Sequence, residues 1–480
     1  MKRLIYFGFL IVLLLPLGQY AYEWFDEEPL KGLARKQKMP DLFTETFLEG
    51  EFQEQFGDHM RDSIGFRPFF IRTINQFDYS LFNQINIENL EEGKDGYLFG
   101  KIYLDTYLGK DLVAEKLVEA HARKVVDVKD SLAVRNIQLV YSFVPGKVML
   151  YPEFMPSDFG EKKQNNYELF CSTFDTEGVD YLDFYPLLKR HKDAGVFPVF
   201  PQAGLHWSAG VVAKAASYLF DELGGRLNKP MVNWTETGQE WTQSDYRETD
   251  YDYGESLNLF TRVSQENMMY PTVKFTPYDS AYQKPKSLLV GDSFMQSFWL
   301  FYPFFENAFH AKSTFWYYNR KITWSPSGAW DVPRKFANME KELRELDLIY
   351  IQVSDENLKK MSFGFIDDLH DYFHGTHQGN EVEVQKLMEH PQVIYKAKKW
   401  LKDYKGYTMD EMVRGVAESS YQDTLRQFKG KFEDRVQQVV ESIMKNKKWL
   451  NKIKADAIRK QIPLEKAIRE NAEWFVTRNG

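Results

Sequence analysis

The sequence predicts an α/β fold in which a parallel sheet is sandwiched by helices. Three short apolar runs, rich in branched and aromatic residues, predict the strands: Ile137 to Val144, Ser287 to Val290 and Leu346 to Val353. Helical segments separate these runs, as at Leu112 to Leu132 and Val211 to Leu223. Because strands that are apolar along their whole length are typical of sheets covered on both faces, the sheet is expected to be parallel.

The composition is that of a large ordered protein of two or three domains. The chain has 480 residues, of which 43% are hydrophobic and 16% aromatic, and its formal net charge is −8. Its single cysteine, Cys171, excludes intramolecular disulfides, zinc-thiolate clusters and iron-sulfur sites, and we interpret it as a buried, inert thiol. We predict no cofactor, no metal and no nucleic-acid partner.

Residues 1–24 predict a signal-anchor or transmembrane segment. Lys2 and Arg3 precede an uncharged stretch over residues 4–22, which is near the length that spans a bilayer. A cleaved signal peptide is the alternative, but the stretch lacks a good small-x-small cleavage site. The positive-inside rule then places residues 25–480 outside the cytoplasm. We expect a single-pass protein of the bacterial inner (cytoplasmic) membrane whose bulk faces the periplasm or the cell exterior.

Three further segments follow the predicted anchor. Residues 25–90 predict a neck and N-terminal helices, residues 91–378 the α/β domain, and residues 379–480 an all-α module. Residues 381–480 carry a net charge of +6 and contain an internal repeat at an offset of 55 or 56 residues. The repeat predicts two similar helical hairpins with caps near Thr408 and Pro463.

The run from Lys286 to Phe294 predicts a serine displayed on a tight turn. The strand would end at Val290, Gly291 would allow the bend, and Ser293 would follow at the C-terminal edge of the sheet, where α/β folds keep their sites. A helix that begins here directs its N-terminus and the Ser293 N–H toward an oxyanion beside the hydroxyl. The alternative is an ordinary strand-to-helix turn with an N-cap.

A histidine at a helix entrance is the candidate base. His206 lies in the run Gly204-Leu-His-Trp-Ser-Ala-Gly210, directly ahead of an amphipathic helix, and Ser208 is the expected N-cap. The positive end of that helix disfavours an imidazolium, which leaves a neutral ring able to accept a proton. The alternative is that His206 and Trp207 only pack the start of the helix.

Together with Gly93-Lys-Asp-Gly-Tyr-Leu-Phe99, the two motifs resemble in order and spacing the alginate O-acetyltransferase family (AlgX/AlgJ-like). These extracytoplasmic polysaccharide O-acetyltransferases have an SGNH-hydrolase-like domain, and the resemblance covers about residues 40–370. It implies that residues 91–378 form such a domain, that Ser293 is the acyl-accepting nucleophile and that His206 is the general base. It also implies a polysaccharide substrate and a multi-spanning membrane O-acyltransferase as acyl donor.

One position departs from the family pattern, which has an aspartate two residues before the histidine. That position is Gly204 here. A carboxylate in such triads fixes the histidine tautomer and stabilises the imidazolium. Three explanations remain open: a carboxylate from elsewhere, a backbone carbonyl in a Ser-His dyad, or a domain that has lost its chemistry and only binds glycan. Asp183, Asp193 and Asp250 are the unranked candidates for the carboxylate.

Other polar and aromatic residues are candidates for substrate contacts. Aromatic residues between Glu240 and Tyr282, and again from Phe315 to Trp330, predict a glycan groove, with core packing as the alternative. Ser354, Asp355 and Glu356 follow the last predicted strand and are further candidates, against simple helix capping. The candidate oxyanion and substrate residues are Asp292, Trp316, Tyr318, Asn319 and Arg320.

A competing metal chemistry is conceivable at His370, His374 and His377, because the first two share a helix face. No glutamate occupies the base position of a zinc-protease motif, and histidines before Gly375 also suit a solvated helix C-terminus. The sequence therefore favours a membrane-anchored polysaccharide O-acetyltransferase that uses Ser293 and His206. The alternatives are a carbohydrate O-acetyl esterase with the same residues and a catalytically inactive glycan-binding or assembly protein.

Overall fold

A computed structural model of the chain describes most of residues 2–374 and parts of the last hundred residues. The described residues are 2–32, 39, 51–157, 159–263, 265–276, 284–333, 339–374, 387–389, 393–394, 396–398, 401, 408–417, 439–440, 443–444, 447–460 and 463–479. They divide into two compact units, of which the first comprises residues 1–330 and 343–373 and the second residues 331–342 and 374–480.

The strands of the described residues are short, and the longest has nine residues. They are β1 Leu90–Glu92, β2 Leu98–Gly100, β3 Gln138–Val144, β4 Tyr181–Asp183, β5 Trp234–Thr242, β6 Met268–Phe275, β7 Ser287–Gly291, β8 Thr314–Tyr317, β9 Lys321–Ser325, β10 Gly328–Pro333 and β11 Leu348–Ser354.

The helices before the last sheet strand are α1 Lys2–Tyr22, α2 Glu51–Ser63, α3 Arg67–Phe82, α4 Lys101–Tyr107, α5 Glu115–Ala133, α6 Lys147–Leu150, α7 Asn166–Glu177, α8 Tyr185–Ala194, α9 Ala209–Leu227, α10 Asp252–Ser256, α11 Ser293–Leu300, α12 Phe304–Ala308 and α13 Met339–Leu343. After β11 come α14 Phe365–Phe373, α15 Lys447–Lys460 and α16 Leu464–Asn479. Short 3₁₀ segments lie at Lys94–Gly96, Pro152–Phe154 and Asp355–Gly364.

Seven of these strands form one sheet in the order β10-β9-β8-β7-β11-β3-β4. From β8 to β4 the neighbours are parallel, which confirms the predicted parallel core. The expectation of a purely parallel sheet was wrong at one edge, because β8 and β9 are antiparallel. Only three residues join these two strands, and such a short connection cannot make the crossover that parallel strands require.

The sheet is covered on both faces, as the apolar strands predicted. All residues of β7 and β11 are buried, and so are six of the seven residues of β3. Helix α5 buries Val118, Ala122, Val125, Val128 and Leu132, which recur at helical spacing. The carboxyl ends of β3, β7 and β11 therefore open at one edge of the sheet, where the segments after them carry polar residues.

The N-terminal helix α1 occupies the segment in which the anchor was predicted. Among the described residues, no helix combines the length and the hydropathy that a membrane span requires. The anchor over residues 4–22 is therefore not confirmed and stays a prediction.

The second unit is helical where it is described after residue 374. Helices α15 and α16 pack through Ile453, Ala457, Ala467, Ile468 and Ala472. A helical segment also begins after Thr408, whose hydroxyl accepts the Glu411 N–H at 3.3 Å while the Glu411 carboxylate accepts the Thr408 N–H at 2.9 Å. This capping box lies where the sequence predicted a cap.

Candidate active site

Ser293 lies at the strand-to-helix turn that the sequence predicted. Strand β7 ends at Gly291, and α11 begins at Ser293, so the half-buried hydroxyl lies at the carboxyl end of the sheet. Glycine is needed at 291 because a Cβ atom there would lie 3.0 Å from the Gln352 carbonyl oxygen and 2.9 Å from the Met295 methyl group. Strand β11 thus lies so close to residue 291 that a side chain at this position would crowd it.

The His206 ring lies against this hydroxyl. His206 Nε2 is 2.8 Å from Ser293 Oγ, and the imidazole is buried, with its centroid 5.0 Å from that of Phe294. The fully buried Trp207 donates its indole N–H to the Phe294 carbonyl at 3.2 Å. Trp207 therefore does pack a helix start, but it is the start of the helix that carries the serine, and it leaves His206 free to contact Ser293.

Ser208 takes the N-cap position of α9 without capping the helix through its side chain. Its hydroxyl instead donates to the Pro198 carbonyl at 2.5 Å. The predicted N-cap position is therefore confirmed, while the hydroxyl ties the histidine segment to residue 198 and does not cap the helix.

The acid that Gly204 cannot supply comes from Asp252. Its Oδ2 lies 3.0 Å from His206 Nδ1, while its Oδ1 accepts the backbone N–H groups of Leu205 at 2.7 Å and Tyr253 at 2.8 Å. The two backbone bonds fix the carboxylate plane in front of the ring. With Nδ1–H donating to Asp252, Nε2 is left to accept the Ser293 proton, which is the arrangement of a Ser-His-Asp triad.

The position of this loop also explains the glycine. A Cβ atom at 204 would lie 2.9 Å from the Thr249 carbonyl oxygen, 3.1 Å from the Asp250 carbonyl oxygen and 2.9 Å from Pro201 Cγ. The loop that carries Asp252 thus fills the space in which a side chain at 204 would lie. The path of this loop therefore accounts both for the glycine at position 204 and for the position of Asp252 beside His206.

The three acids proposed from the sequence do not reach the ring. Asp183 accepts the Tyr185 N–H at 2.8 Å and the Tyr167 hydroxyl, and Asp193 pairs with Lys189 on the surface. Asp250 was the nearest of the candidates in sequence, two residues from the acid, but it is fully buried. Burial raises the pKa of the Asp250 carboxyl to about 8, against the opposing contacts of the Tyr270 hydroxyl and a backbone N–H.

Asp252 was not among the residues predicted from the sequence. The local signals are an acidic loop and the two tyrosines that flank Asp252. They do not distinguish Asp252 from Asp245 or Asp250, because its spacing is not unusual. The partner that identifies it, His206, lies 46 residues away.

Asp292 was predicted to contact the oxyanion or the substrate. Its side chain instead stabilises the turn between β7 and α11. Its fully buried carboxylate accepts hydrogen bonds from the Phe294 N–H at 3.1 Å, the Ser354 N–H at 2.9 Å, the Ser354 hydroxyl at 2.6 Å and the Asn357 amide at 2.9 Å. These bonds tie the end of β7 to the segment after β11. The expected substrate contact is therefore replaced by a positioning role, since an acceptor-only carboxylate cannot donate to an oxyanion.

Ser354, Asp355 and Glu356 are all buried beneath the same turn. Burial raises the pKa of the Asp355 carboxyl to about 7, and the backbone N–H groups of Gly146 and Glu356 oppose this shift. Ser354 supports the turn through Asp292, whereas Glu356 pairs with Lys359 and Lys360.

Two tyrosines at the end of β8 border the serine. Burial raises the pKa of the Tyr317 hydroxyl, and the neighbouring Tyr318 and Ser293 hydroxyls oppose this shift. Tyr318 has a left-handed backbone with φ of 51°, and its ring lies under the Lys360 ammonium at 5.3 Å. Tyr317 was missed by sequence reasoning, which chose Tyr318; adjacent residues of a strand end differ in direction, and only the coordinates decide which hydroxyl reaches the serine.

The other substrate candidates divide into buried and exposed residues. Trp316 is fully buried against Phe365, so the prediction that it contacts substrate was wrong. The Asn319 amide donates to the Phe363 carbonyl at 3.2 Å and to Asp368 at 2.9 Å, which gives it a structural role. Arg320 is exposed on the turn between β8 and β9.

The predicted glycan groove is largely core at the residues that the structure describes. Tyr251 is buried and stacked on Tyr246, and Trp324 is buried and stacked on Trp299. Trp241 is 40% exposed, and the side chain of Trp330 lies outside the described residues. Cys171 was predicted to be a buried, inert thiol. The residue is only partly buried, although burial raises the pKa of its thiol to about 12. His377 of the conceivable metal site lies outside the described residues.

Comparison with known proteins shows what the α/β region is similar to. Residues 90–314 match the family model described as "SGNH hydrolase-like domain, acetyltransferase AlgX". This segment is therefore similar to the AlgX/AlgJ-like proteins. The similarity agrees with the resemblance drawn from the motifs around Gly93, His206 and Ser293.

Curated relatives of the chain include two proteins named "Probable alginate O-acetylase AlgJ". The protein from Pseudomonas fluorescens is 26% identical over 225 residues, which cover 45% of this chain and 51% of the relative. The protein from Azotobacter vinelandii is 25% identical over 201 residues, 40% of this chain and 48% of the relative. The chain thus spans about half the length of the curated relatives that it matches. A solved structure, the O-acetyltransferase domain of Pseudomonas putida AlgJ, aligns with 59% of this chain and 99% of its own at 18% identity and a TM-score of 0.40.

Proposed function

We propose that the chain is an extracytoplasmic O-acetyltransferase that modifies a polysaccharide through an acyl-enzyme on Ser293. The observation that carries the proposal is the continuous hydrogen-bond chain from Asp252 through His206 to Ser293. The names of the AlgJ relatives support the reaction class.

In the first step, Ser293 Oγ attacks the carbonyl carbon of an acetyl donor. His206 Nε2 takes the hydroxyl proton as the Oγ–C bond forms, and Asp252 stabilises the resulting imidazolium through Nδ1. When the tetrahedral intermediate collapses, the bond to the leaving group breaks and the imidazolium returns the proton to that group. The product is an acetyl ester on Ser293.

Two donors are available for the oxyanion of this intermediate. The Ser293 N–H lies in the first turn of α11, so the positive end of the helix favours negative charge beside it. The Tyr317 phenol, at the end of the strand β8 that pairs with β7, is the second donor, because a phenol is protonated at neutral pH.

In the second step, a sugar hydroxyl attacks the acetyl ester. His206 Nε2 removes the hydroxyl proton, the ester bond to Ser293 breaks, and the proton is returned to Oγ. Water can take the place of the sugar, so an esterase would use the same residues. Transfer therefore depends on a bound acceptor that excludes water from the ester.

The proposal is tested by mass spectrometry of the full chain after incubation with p-nitrophenyl acetate. An acetyl adduct on Ser293 is expected in the wild type and is expected to be lost in Ser293→Ala and His206→Ala. Asp252→Asn should slow its formation by about 10⁴-fold, because the amide leaves the imidazole in the wrong tautomer. Asp250→Asn is the matched control, since the same change two residues away affects a carboxyl that does not contact the ring.

Absence of an adduct in the wild type, with no acetate released above the Ser293→Ala level, would instead favour an inactive glycan-binding protein. If an adduct forms, addition of an acidic polysaccharide separates the two reactions. An acetylated polymer supports transfer, whereas free acetate alone supports the esterase.

The location and the acyl source belong to the same proposal. The basic residues Lys2 and Arg3 and the uncharged stretch over residues 4–22 support attachment to the inner membrane with the bulk outside the cytoplasm. Acetyl groups would then come from a multi-spanning membrane O-acyltransferase. Cell fractionation with protease protection tests the location, and recovery of the chain in the soluble fraction would contradict it.

A further inference from the structure

A buried lysine contacts the segments that carry His206 and Asp252 but has no part in the proposed reaction. Lys147 is the first residue of α6, immediately after the turn that ends β3, and only 3% of its surface is exposed. A fully buried lysine is rare unless its ammonium group is well paired. Its contacts therefore indicate what it does.

The surroundings of the amine suit a cation. Lys147 Nζ donates to the Leu98 carbonyl at 2.8 Å and to the Gln202 carbonyl at 3.0 Å. It also lies 5.4 Å from the ring centroid of Phe99, 5.5 Å from that of Tyr253 and 5.9 Å from that of Tyr97. Carbonyl oxygens and aromatic faces both attract positive charge.

These contacts join the two segments that carry the base and the acid. Gln202 lies four residues before His206, and its carbonyl also accepts the Leu98 N–H at 2.9 Å. Tyr253 directly follows Asp252, and its hydroxyl accepts a bond from the Gly100 N–H. The ammonium group thus touches the base segment, the acid segment and β2 at once.

Contacts that hold the His206 segment and the Asp252 loop together matter more in this chain than in a triad whose acid lies two residues before the histidine. When the acid lies two residues before the histidine, the short connection limits where the two side chains can go. In this chain the two groups lie 46 residues apart, so tertiary contacts must set their distance.

We propose that Lys147 is a positioning residue that holds the base segment and the acid loop together. The inference rests on the proposed function, because it assigns Lys147 a role in Ser293 chemistry. Asp252 and Glu266 are the carboxylates that act on the Lys147 ammonium, and Tyr97 and Tyr253 are the titratable rings around it. The His206 ring faces Asp252, Ser293 and Phe294.

The balance of forces on the amine is consistent with this role. Burial lowers the pKa of Lys147 to about 7, whereas Asp252 and Glu266 oppose that shift.

The test measures how fast phenylmethanesulfonyl fluoride labels Ser293 in the full chain between pH 5 and 9. In this reaction the Oγ–S bond forms, the S–F bond breaks with release of fluoride, and His206 takes the hydroxyl proton. Lys147→Gln keeps a donor for the two carbonyls but removes the charge, whereas Lys147→Met removes both. Thermal unfolding of each variant is measured alongside.

We expect the two variants to separate position from charge. Lys147→Met should label about tenfold more slowly at the pH optimum, and Lys147→Gln should stay within about threefold of the wild type. A smaller loss in Lys147→Gln than in Lys147→Met, at equal thermal stability, assigns the effect to the hydrogen bonds on the two carbonyls. A lysine that served only stability would slow labelling only as far as it lowers the unfolding temperature.

A double-mutant cycle ties the effect to the acid. In the Asp252→Asn background, replacing Lys147 should change the labelling rate less than about twofold, because the group through which it acts is already lost. If Lys147→Met does not fold, the same cycle is run with Lys147→Gln. A labelled wild type together with folded Lys147 variants of unchanged rate would overturn this inference alone. A wild type that is not labelled at Ser293 would overturn the inference and the proposed function together.

Discussion

Restoring the aspartate of the family pattern at position 204 should damage the candidate site. Gly204 has no left-handed φ, so the backbone conformation itself permits any residue there. The obstacle is space, because a Cβ atom would approach the Thr249 carbonyl oxygen to 2.9 Å and the Asp250 carbonyl oxygen to 3.1 Å. Backbone atoms cannot swing aside as the end of a side chain can, so the loop that carries Asp252 must move.

The size of the effect follows from that displacement. Added atoms in a well-packed region cost about 1–3 kcal/mol, which Gly204→Ala should show as a loss of unfolding free energy. A shift of the loop by about 1 Å separates Asp252 from His206 and should slow acylation of Ser293 by about 10²-fold. Gly204→Asp should be at least as damaging, because its carboxylate needs more room than a methyl group.

The assay combines acylation of Ser293 by p-nitrophenyl acetate with denaturant unfolding. Gly225→Ala is the matched control, since it makes the same change within α9 where no atom lies within 4 Å of the added Cβ. That control should leave acylation unchanged and add about 0.4–1 kcal/mol of stability. The decisive variant is Gly204→Asp combined with Asp252→Asn, which should acylate no faster than Asp252→Asn alone. Recovery of the double variant to within tenfold of the wild type would refute the reasoning, because an acid at 204 would then reach the ring.

Three further predictions concern the groups around the triad. Tyr317→Phe should lower kcat by roughly 10–10²-fold with little change in KM, because an oxyanion donor is lost; an unchanged kcat in steady-state acylation would exclude that role. Asp292→Asn should lower the unfolding free energy by about 3 kcal/mol, because an amide presents a donor to the Ser354 donors, and urea unfolding that matches the wild type would contradict it. Burial raises the pKa of Asp250 to about 8 in the folded state, whereas the unfolded state releases this proton near the ordinary pKa of an aspartate. The folded state therefore binds the proton more tightly, so this group makes the unfolding free energy fall as pH rises from about 4 to 8. Asp250→Asn should remove up to about 1.4 kcal/mol per pH unit of that slope between pH 5 and 8, and parallel unfolding curves for variant and wild type would count against it.

Local sequence patterns predicted the structure correctly where that structure depends on residues close together in the chain. The buried strand before Gly291, the turn at Asp292 and the helix from Ser293 are written in nine consecutive residues, and the predicted nucleophile lies where the pattern placed it. The histidine segment is likewise local, because a helix begins three residues after His206. These features depend on hydrophobic periodicity within short segments of the chain.

Aromatic residues were harder to interpret, because periodicity does not tell a core ring from a binding surface. Trp316 and Trp324 are buried, although their cluster resembles a carbohydrate platform in composition. Which of Tyr317 and Tyr318 reaches the serine depends on how β8 twists beside β7.

By itself, then, the sequence determined the parallel α/β core, the serine turn, the histidine at a helix entrance and the family to which they point. It also showed that the acid was missing from its expected place, but not where its replacement lies. Only the tertiary structure decided that Asp252 completes the triad, that its loop excludes any side chain at Gly204, and that Lys147 touches both segments. The physical reason is that periodicity and turn chemistry act over a few residues, whereas the position of a carboxylate 46 residues from its histidine is set by how the chain packs.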